Sequence, residues 1–374
     1  MSGELLIVGS IPVETAEQAF RQVGVPLGPW LDYMPDGEVG ERGYWVVRMA
    51  YRVFHGHPEI DTIARPASDK DGVEWWKGRG WNDDFRFRVK PGVRAVRFGD
   101  PGWRLGFARD AVNAYAIFRS LKRDGTIPQR VRFQVCLPPT HSSLGFFFPE
   151  PGDAEKVAPG LTAALRAEVA KIVQLIPNED LAIQWDMAFE HTLVMRRVPE
   201  GAAAAAAEAA RMAAPLGEIA IPNTVALGYH TCFGTFAGWP SRRPADLGAV
   251  VLLLNAALAA QGRKVDYVHI PTVDDSSEAF FAPLKNLKLD GTKIYIGAIH
   301  HLHGTDGLRR QLRIVRNHVP HFGLAAPCGW GRVLDRPETD RLLSDGSRKV
   351  HNPIEVILQD HKAAVDVLGE ILAS

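Results

Sequence analysis

Cysteine is the scarcest informative residue in this chain: three thiols among 374 residues cannot form a disulfide framework, so each has to be packing, chemistry or chance. Net charge is absent as well. Lysine plus arginine and aspartate plus glutamate both number 43, which leaves no basic field for nucleic acid or an anionic membrane and favours a small neutral or mixed-charge ligand. Long apolar runs are also missing. The opening stretch MSGELLIVGSIP has no basic n-region, and its apolar run is far shorter than a signal h-region or a membrane span. These absences place the expected protein in the reducing cytoplasm, where thiolates persist as ligands or nucleophiles.

What is present reads as an ordinary globular chain, 46% hydrophobic and 23% charged, with the material for a large core. Short apolar, β-rich runs recur at 4–10, 130–137, 180–187, 221–230, 265–273, 291–301 and 321–329. Between them lie helical candidates at 109–125, 154–176, 201–217, 245–262 and 305–319. Strand–helix alternation of this kind requires parallel pairing with crossover helices, and strands this apolar are buried on both faces. About eight such units close into a (β/α)8 TIM barrel of roughly 250 residues plus insertions, so one barrel domain over 1–374 is expected. The surplus sits early: residues 30–105, rich in Trp, Gly and Arg and including Trp75, Trp76, Trp81 and Trp103, read as insertions over the barrel mouth with a hairpin near 84–98.

The polar residues gather at strand ends. Ser10, Asp186, the pair His230 and Cys232, His269, the cluster His300, His301 and His303, and Cys328 each sit at the end of a different strand candidate. The C-terminal strand ends of such a barrel form its active face, so residues spread over three hundred positions converge on one mouth. Two thiolates and an imidazole suit a thiophilic zinc ion, and His230 and Cys232, at i and i+2 on an extended segment, point to one side. A lone His-x-Cys is ordinarily a buried hydrophobe beside a satisfied core histidine. Cys136, inside RFQVCL with no histidine nearby, reads as packing.

Five short stretches then occur in a telling order: VGSIP (8–12), DGEVGER (36–42), QWDMA (184–188), HTCFG (230–234) and PCGWGR (327–332). Together they resemble the signatures of the catalytic domain of cobalamin-independent methionine synthase and its shorter relatives. The resemblance spans nearly the whole chain. It implies a zinc-dependent barrel that activates a small thiol and alkylates it, usually by methyl transfer. His230, Cys232 and Cys328 match zinc ligands; Val8, Gly9 and Ser10 match the loop that holds the amino-acid thiol; Glu38 and Asp186 match acids that hold the same substrate. The histidines of IHHLHG fall where the family places its catalytic one, with His303 preferred over His301 as general acid, and Arg332 is placed to clamp a carboxylate.

The departures matter as much. Where the family has a zinc-binding glutamate this chain has Pro271, which cannot ligate, and His269, on the same strand face, is the candidate to serve as fourth ligand or to support the site. Met187 replaces an acidic neighbour, and GFFFPEP at 145–151 lacks the family's folate context. The expected acceptor is therefore a small thiol, and the expected donor a smaller or protein-bound alkyl group such as that of a corrinoid protein, rather than a folate. Two other readings stay open: a metal-free lyase or decarboxylase on the same barrel, and a non-catalytic relative that binds a ligand at a Trp-rich mouth.

Overall fold

The computed structural model describes residues 3–44, 46–65, 85–99, 105–234, 239–240, 242–273, 277–300, 304–330 and 353–373. His301, His303, Arg332 and the four early tryptophans Trp75, Trp76, Trp81 and Trp103 lie outside the described residues.

Eight parallel strands build the barrel: β1 (Leu5–Leu6), β2 (Tyr33–Pro35), β5 (Arg132–Leu137), β6 (Leu181–Met187), β7 (Ala226–Thr231), β8 (Tyr267–Pro271), β9 (Lys293–Gly297) and β10 (Gly323–Ala325). Their order is β1-β10-β9-β8-β7-β6-β5-β2, and a parallel bridge from Leu5 to Leu31 joins the two ends. Two further strands among the described residues, β3 (Ile60–Ala64) and β4 (Arg86–Val89), form a separate antiparallel pair. Every residue of β6, β7 and β8 is buried, as the continuous apolar runs require of strands covered on both faces. Helices Phe107–Arg123, Asp153–Leu175, Ala202–Gly217, Gly248–Ala260 and Gly304–His318 fall close to the expected spans. Helices Ala188–Arg197 and Pro353–Ala373 add to them.

Two expectations for the early segment need correction. Residues 33–35 are a barrel strand and not insertion, because Tyr33, Met34 and Pro35 pair with Arg132, Phe133 and Gln134. The hairpin is also not local to 84–98: Arg86–Val89 pairs across to Ile60–Ala64. An aromatic cluster holds that pair to the loop after β5. Phe54 packs edge-on against Phe87 at 5.6 Å and Phe148 at 5.1 Å, and the Phe87 amide donates to the Phe147 carbonyl at 2.7 Å.

Inside the barrel the alternation of side chains stacks a polar floor beneath the mouth. The Gln184 amide nitrogen donates to the Val8 carbonyl at 2.6 Å and to Asp186 at 2.8 Å. Its carboxamide oxygen accepts from Gln134 at 3.1 Å and from the Tyr267 hydroxyl at 3.2 Å. The Tyr267 ring stacks on Tyr33 at 4.6 Å and lies over Gly228, where an added Cβ would fall 2.1 Å from the ring. Alanine at 228 would therefore force a fully buried ring out of place. We expect Gly228→Ala to lower stability by roughly 1–3 kcal/mol, the usual cost of overpacking a filled core; a urea midpoint unchanged from wild type would contradict this packing.

Candidate metal and thiol site

Strand register brings the site together. Asp186 on β6 pairs with His230 on β7, and His230 pairs with His269 on β8, so three inward-facing side chains form one row across neighbouring strands. Cys232 follows β7 by one residue, and Cys328 follows β10 by three. The ligand-capable atoms of His230, Cys232 and Cys328 all lie within 4.8 Å of one another, and the two sulfurs are 3.1 Å apart. The Gly234 amide donates to the Cys232 sulfur at 3.2 Å, the kind of bond that favours a thiolate. His230 and Cys232 are each 4% exposed and Cys328 is partly exposed, so two soft donors and an imidazole meet at a site mostly shielded from water with one side open. That donor set fits a zinc ion with a position left over.

The loop carrying Cys328 is fitted against the first βα loop. The Trp330 amide donates to the Ser10 carbonyl at 2.7 Å, and a Cβ at Gly329 would lie 2.3 Å from the Ser10 hydroxyl oxygen. The same Cβ would lie 3.0 Å from the Ser10 backbone nitrogen, so glycine at 329 relieves the crowding between the two loops. Val8 is pinned from below, its carbonyl accepting from Gln184 and from the Cys136 thiol at 3.4 Å. Val8, Gly9 and Ser10 thus form a fixed rim segment next to the cysteine pair.

Glu38 faces the same rim. A Cβ at Gly9 would lie 3.4 Å from the Glu38 carboxylate and 3.5 Å from the Cys136 sulfur. Glu38 holds a left-handed backbone with φ of 48°, and its amide is fixed by the Asp36 carboxylate at 3.0 Å. Burial pushes its carboxyl up to about 7; Arg42 pulls the other way, while Asp36 and Cys328 add to the rise. Asp36 is paired with Arg42 at 2.8 Å, and Arg48 with Asp110 at 2.9 Å. Asp36, Glu38, Arg42 and Asp110, with Phe107, Phe133 and Cys136, line a small cleft beside Gly9.

Cys136, which the sequence reads as packing, also stands in the wall of this cleft. Its thiol lines the cleft beside Glu38, although burial and then the charges of Asp186 and Glu38 push it well above the usual thiol range. Strand alternation carried the signal, because Cys136 shares a face with Gln134, whose side chain points into the barrel. The partner of Arg48 had no such signal: Arg48 and Asp110 are 62 positions apart.

His269 lies beside the trio rather than among its converging atoms. Its Nδ1 is 2.8 Å from Nδ1 of His230, and its Nε2 is 3.0 Å from the Ala326 carbonyl oxygen. His300 meets the Thr272 hydroxyl at 3.0 Å, and its ring lies 6.4 Å from that of Trp239. Behind the mouth, Glu190 and His191 are buried on the helix that follows β6. Neither stands out in the sequence, where both read as ordinary helix residues. Burial and then Arg242 lower His191 to about 4.

Among the described residues no helix is long and apolar enough to cross a membrane. No protein-family model matches the chain, and no curated protein matches it in sequence. Among solved structures it is similar to a B12-independent methionine synthase from Shewanella sp. W3-18-1 in complex with selenomethionine, with a TM-score of 0.54 and 16% identity over 96% of this chain and 89% of that one. At that identity the likeness establishes the fold: this chain is a (β/α)8 barrel of the architecture seen in that synthase.

Proposed function

We propose that the chain is a zinc-dependent transferase that activates a small thiol and alkylates it. The observation that carries this reading is the convergence of His230, Cys232 and Cys328, brought from two strand ends nearly a hundred residues apart in sequence, at the rim of the barrel. When bound, a zinc ion would supply Lewis acidity that keeps a substrate thiol ionised at neutral pH. The rest falls to the chain. Val8, Gly9 and Ser10 form one wall for the thiol, and Asp186 and Glu38 offer carboxylates to an ammonium group on the same substrate. Such a cation beside Glu38 would favour its ionised form. Arg332 is the proposed clamp for a carboxylate.

In the transfer itself the sulfur forms a bond to the alkyl carbon, the bond from that carbon to its carrier breaks, and the carrier leaves with the electron pair; a carrier leaving through nitrogen or oxygen takes up a proton, whereas a corrinoid leaves as cobalt(I) without one. His303, or else His301, is proposed as the proton donor. The aromatic surroundings of 145–148 bear on the carrier. Phe146 packs against Phe189 at 4.6 Å, with the guanidinium of Arg242 5.3 Å from its ring centre. Phe147 and Phe148 are occupied by the Phe54 and Phe87 cluster. A segment engaged in this way offers little to a pterin ring, so a smaller or protein-bound donor, such as a methylated corrinoid, is proposed in place of a folate.

The zinc-loaded protein, incubated with homocysteine or another small thiol, should form thioether with methylcobalamin and negligible thioether with methyltetrahydrofolate. Efficient turnover with the folate would overturn the donor assignment. Turnover that survives zinc removal would overturn the metal-dependent reading.

A further inference from the structure

We propose that His269 is a positioning residue that sets the tautomer of His230, so that the ring nitrogen His230 offers to a metal is Nε2. The inference rests on the metal reading above and adds to it a division of labour between the two histidines. A backbone carbonyl only accepts, so Nε2 of His269, 3.0 Å from the Ala326 oxygen, carries the hydrogen. His269 is 0% exposed, and its ring nitrogens face that carbonyl and His230, with no carboxylate among these partners. A charged imidazolium there would be buried without a counter-ion next to a cation site, so the ring is neutral and its Nδ1 accepts. The hydrogen in the 2.8 Å contact between the two Nδ1 atoms therefore belongs to His230. A neutral His230 with its hydrogen on Nδ1 has its lone pair on Nε2, the form a metal takes.

The surroundings of His269 are shaped to hold this arrangement. A Cβ at Gly297 would lie 2.7 Å from His269 Nε2 and 2.9 Å from the Pro327 Cα, so glycine on β9 leaves room for the ring and its bond to Ala326. The Thr231 hydroxyl donates to the His269 carbonyl at 2.9 Å and ties the strands bearing the two histidines. Ala326 lies two residues before Cys328, so the carbonyl that fixes the tautomer and the late cysteine belong to one short segment. A metal-bound histidine ordinarily gives its second N–H to a carboxylate, a carbonyl or water. Here the acceptor is a second imidazole, itself anchored to the backbone. His269 thus acts on the metal through His230, while Pro271 leaves the neighbouring inward position without a donor.

Zinc affinity, measured by competition with a chromophoric chelator, tests this in wild type, His269→Leu and His269→Asn, with thermal unfolding as the check on folding. Leucine removes the acceptor and should weaken zinc binding by roughly 10–100-fold, as loss of such a supporting partner does. Asparagine places a carboxamide oxygen near the position of Nδ1 and should recover most of that loss. A folded His269→Leu protein that binds zinc as tightly as wild type would overturn the positioning role alone. A wild-type protein that takes no zinc would overturn the metal reading and this role with it. Should His269→Leu fail to fold, nitrogen-15 shifts of the zinc-loaded wild type decide: His230 protonated at Nδ1 with Nε2 on the metal supports the role, and the reverse overturns it.

Discussion

Serine in place of Cys232 is expected to leave the purified protein without stoichiometric zinc, where wild type should carry about one ion per chain. The Cys232 and Cys328 sulfurs, 3.1 Å apart, supply two of the three converging donors, and a serine hydroxyl does not ionise to replace a thiolate at neutral pH. Cys328→Ser should behave alike. Cys136→Ser is the control: its sulfur is bonded to the Val8 carbonyl and lies outside the converging set, so zinc content should be retained. Equal zinc in all three variants would remove the basis for the site. Atomic absorption on chelator-washed protein checks the outcome.

The second large effect concerns stability and Glu190. This side chain is 0% exposed and accepts from the Ser142 amide at 2.7 Å and from the Ser142 hydroxyl. Burial pushes its carboxyl up to about 7 from an ordinary value of 4.5, against the lowering pull of those hydrogen bonds. A raised carboxyl in the folded state binds its proton more tightly than in the unfolded chain. The resulting stabilisation is fully present below the unfolded value and is lost as pH rises through the folded one.

Glutamine at 190 is neutral throughout. Its carboxamide oxygen can accept from the Ser142 amide, and its NH2 can donate to the Ser142 hydroxyl, which already accepts from the Phe189 amide at 3.1 Å. Between pH 4.5 and pH 8 the wild type should therefore lose about 3 kcal/mol relative to Glu190→Gln, at roughly 1.4 kcal/mol for each tenfold difference in proton affinity between folded and unfolded chain. Urea unfolding of both proteins at intervals across that range measures it. Parallel stability curves would show that Glu190 ionises normally.

The strands that form the heart of the site were legible because they are long and apolar: β6 and β7 appear where continuous hydrophobic runs end in Asp186 and His230. β2 was not legible. It has three residues, ends in Pro35 and runs directly into the turn sequence at Asp36–Gly37, so local signals point to a loop, and only pairing with β5 makes it a strand. The partner of Arg86–Val89 was hidden for a related reason: pairing between distant segments depends on packing that sequence does not print, here the Phe54 and Phe87 cluster.

Within the site, His230, Cys232 and Cys328 could be grouped because thiols and imidazoles at strand ends are rare and chemically specific. The structure brings those three together, sets His269 against His230, and places Glu38 on the rim beside Gly9. The Arg48 pair could not be foreseen, since ordinary surface charges and buried ion pairs look alike in sequence.

The central claim is that His230, Cys232 and Cys328 hold a metal with one position open to a thiol. Cobalt substitution followed by thiol titration tests it most directly. The account predicts about one cobalt per chain with the intense visible absorption of tetrahedral sulfur ligation, and sulfur-to-metal charge transfer that grows as homocysteine or another small thiol is added. A protein that binds no cobalt, or a spectrum that thiol leaves unchanged, would contradict it.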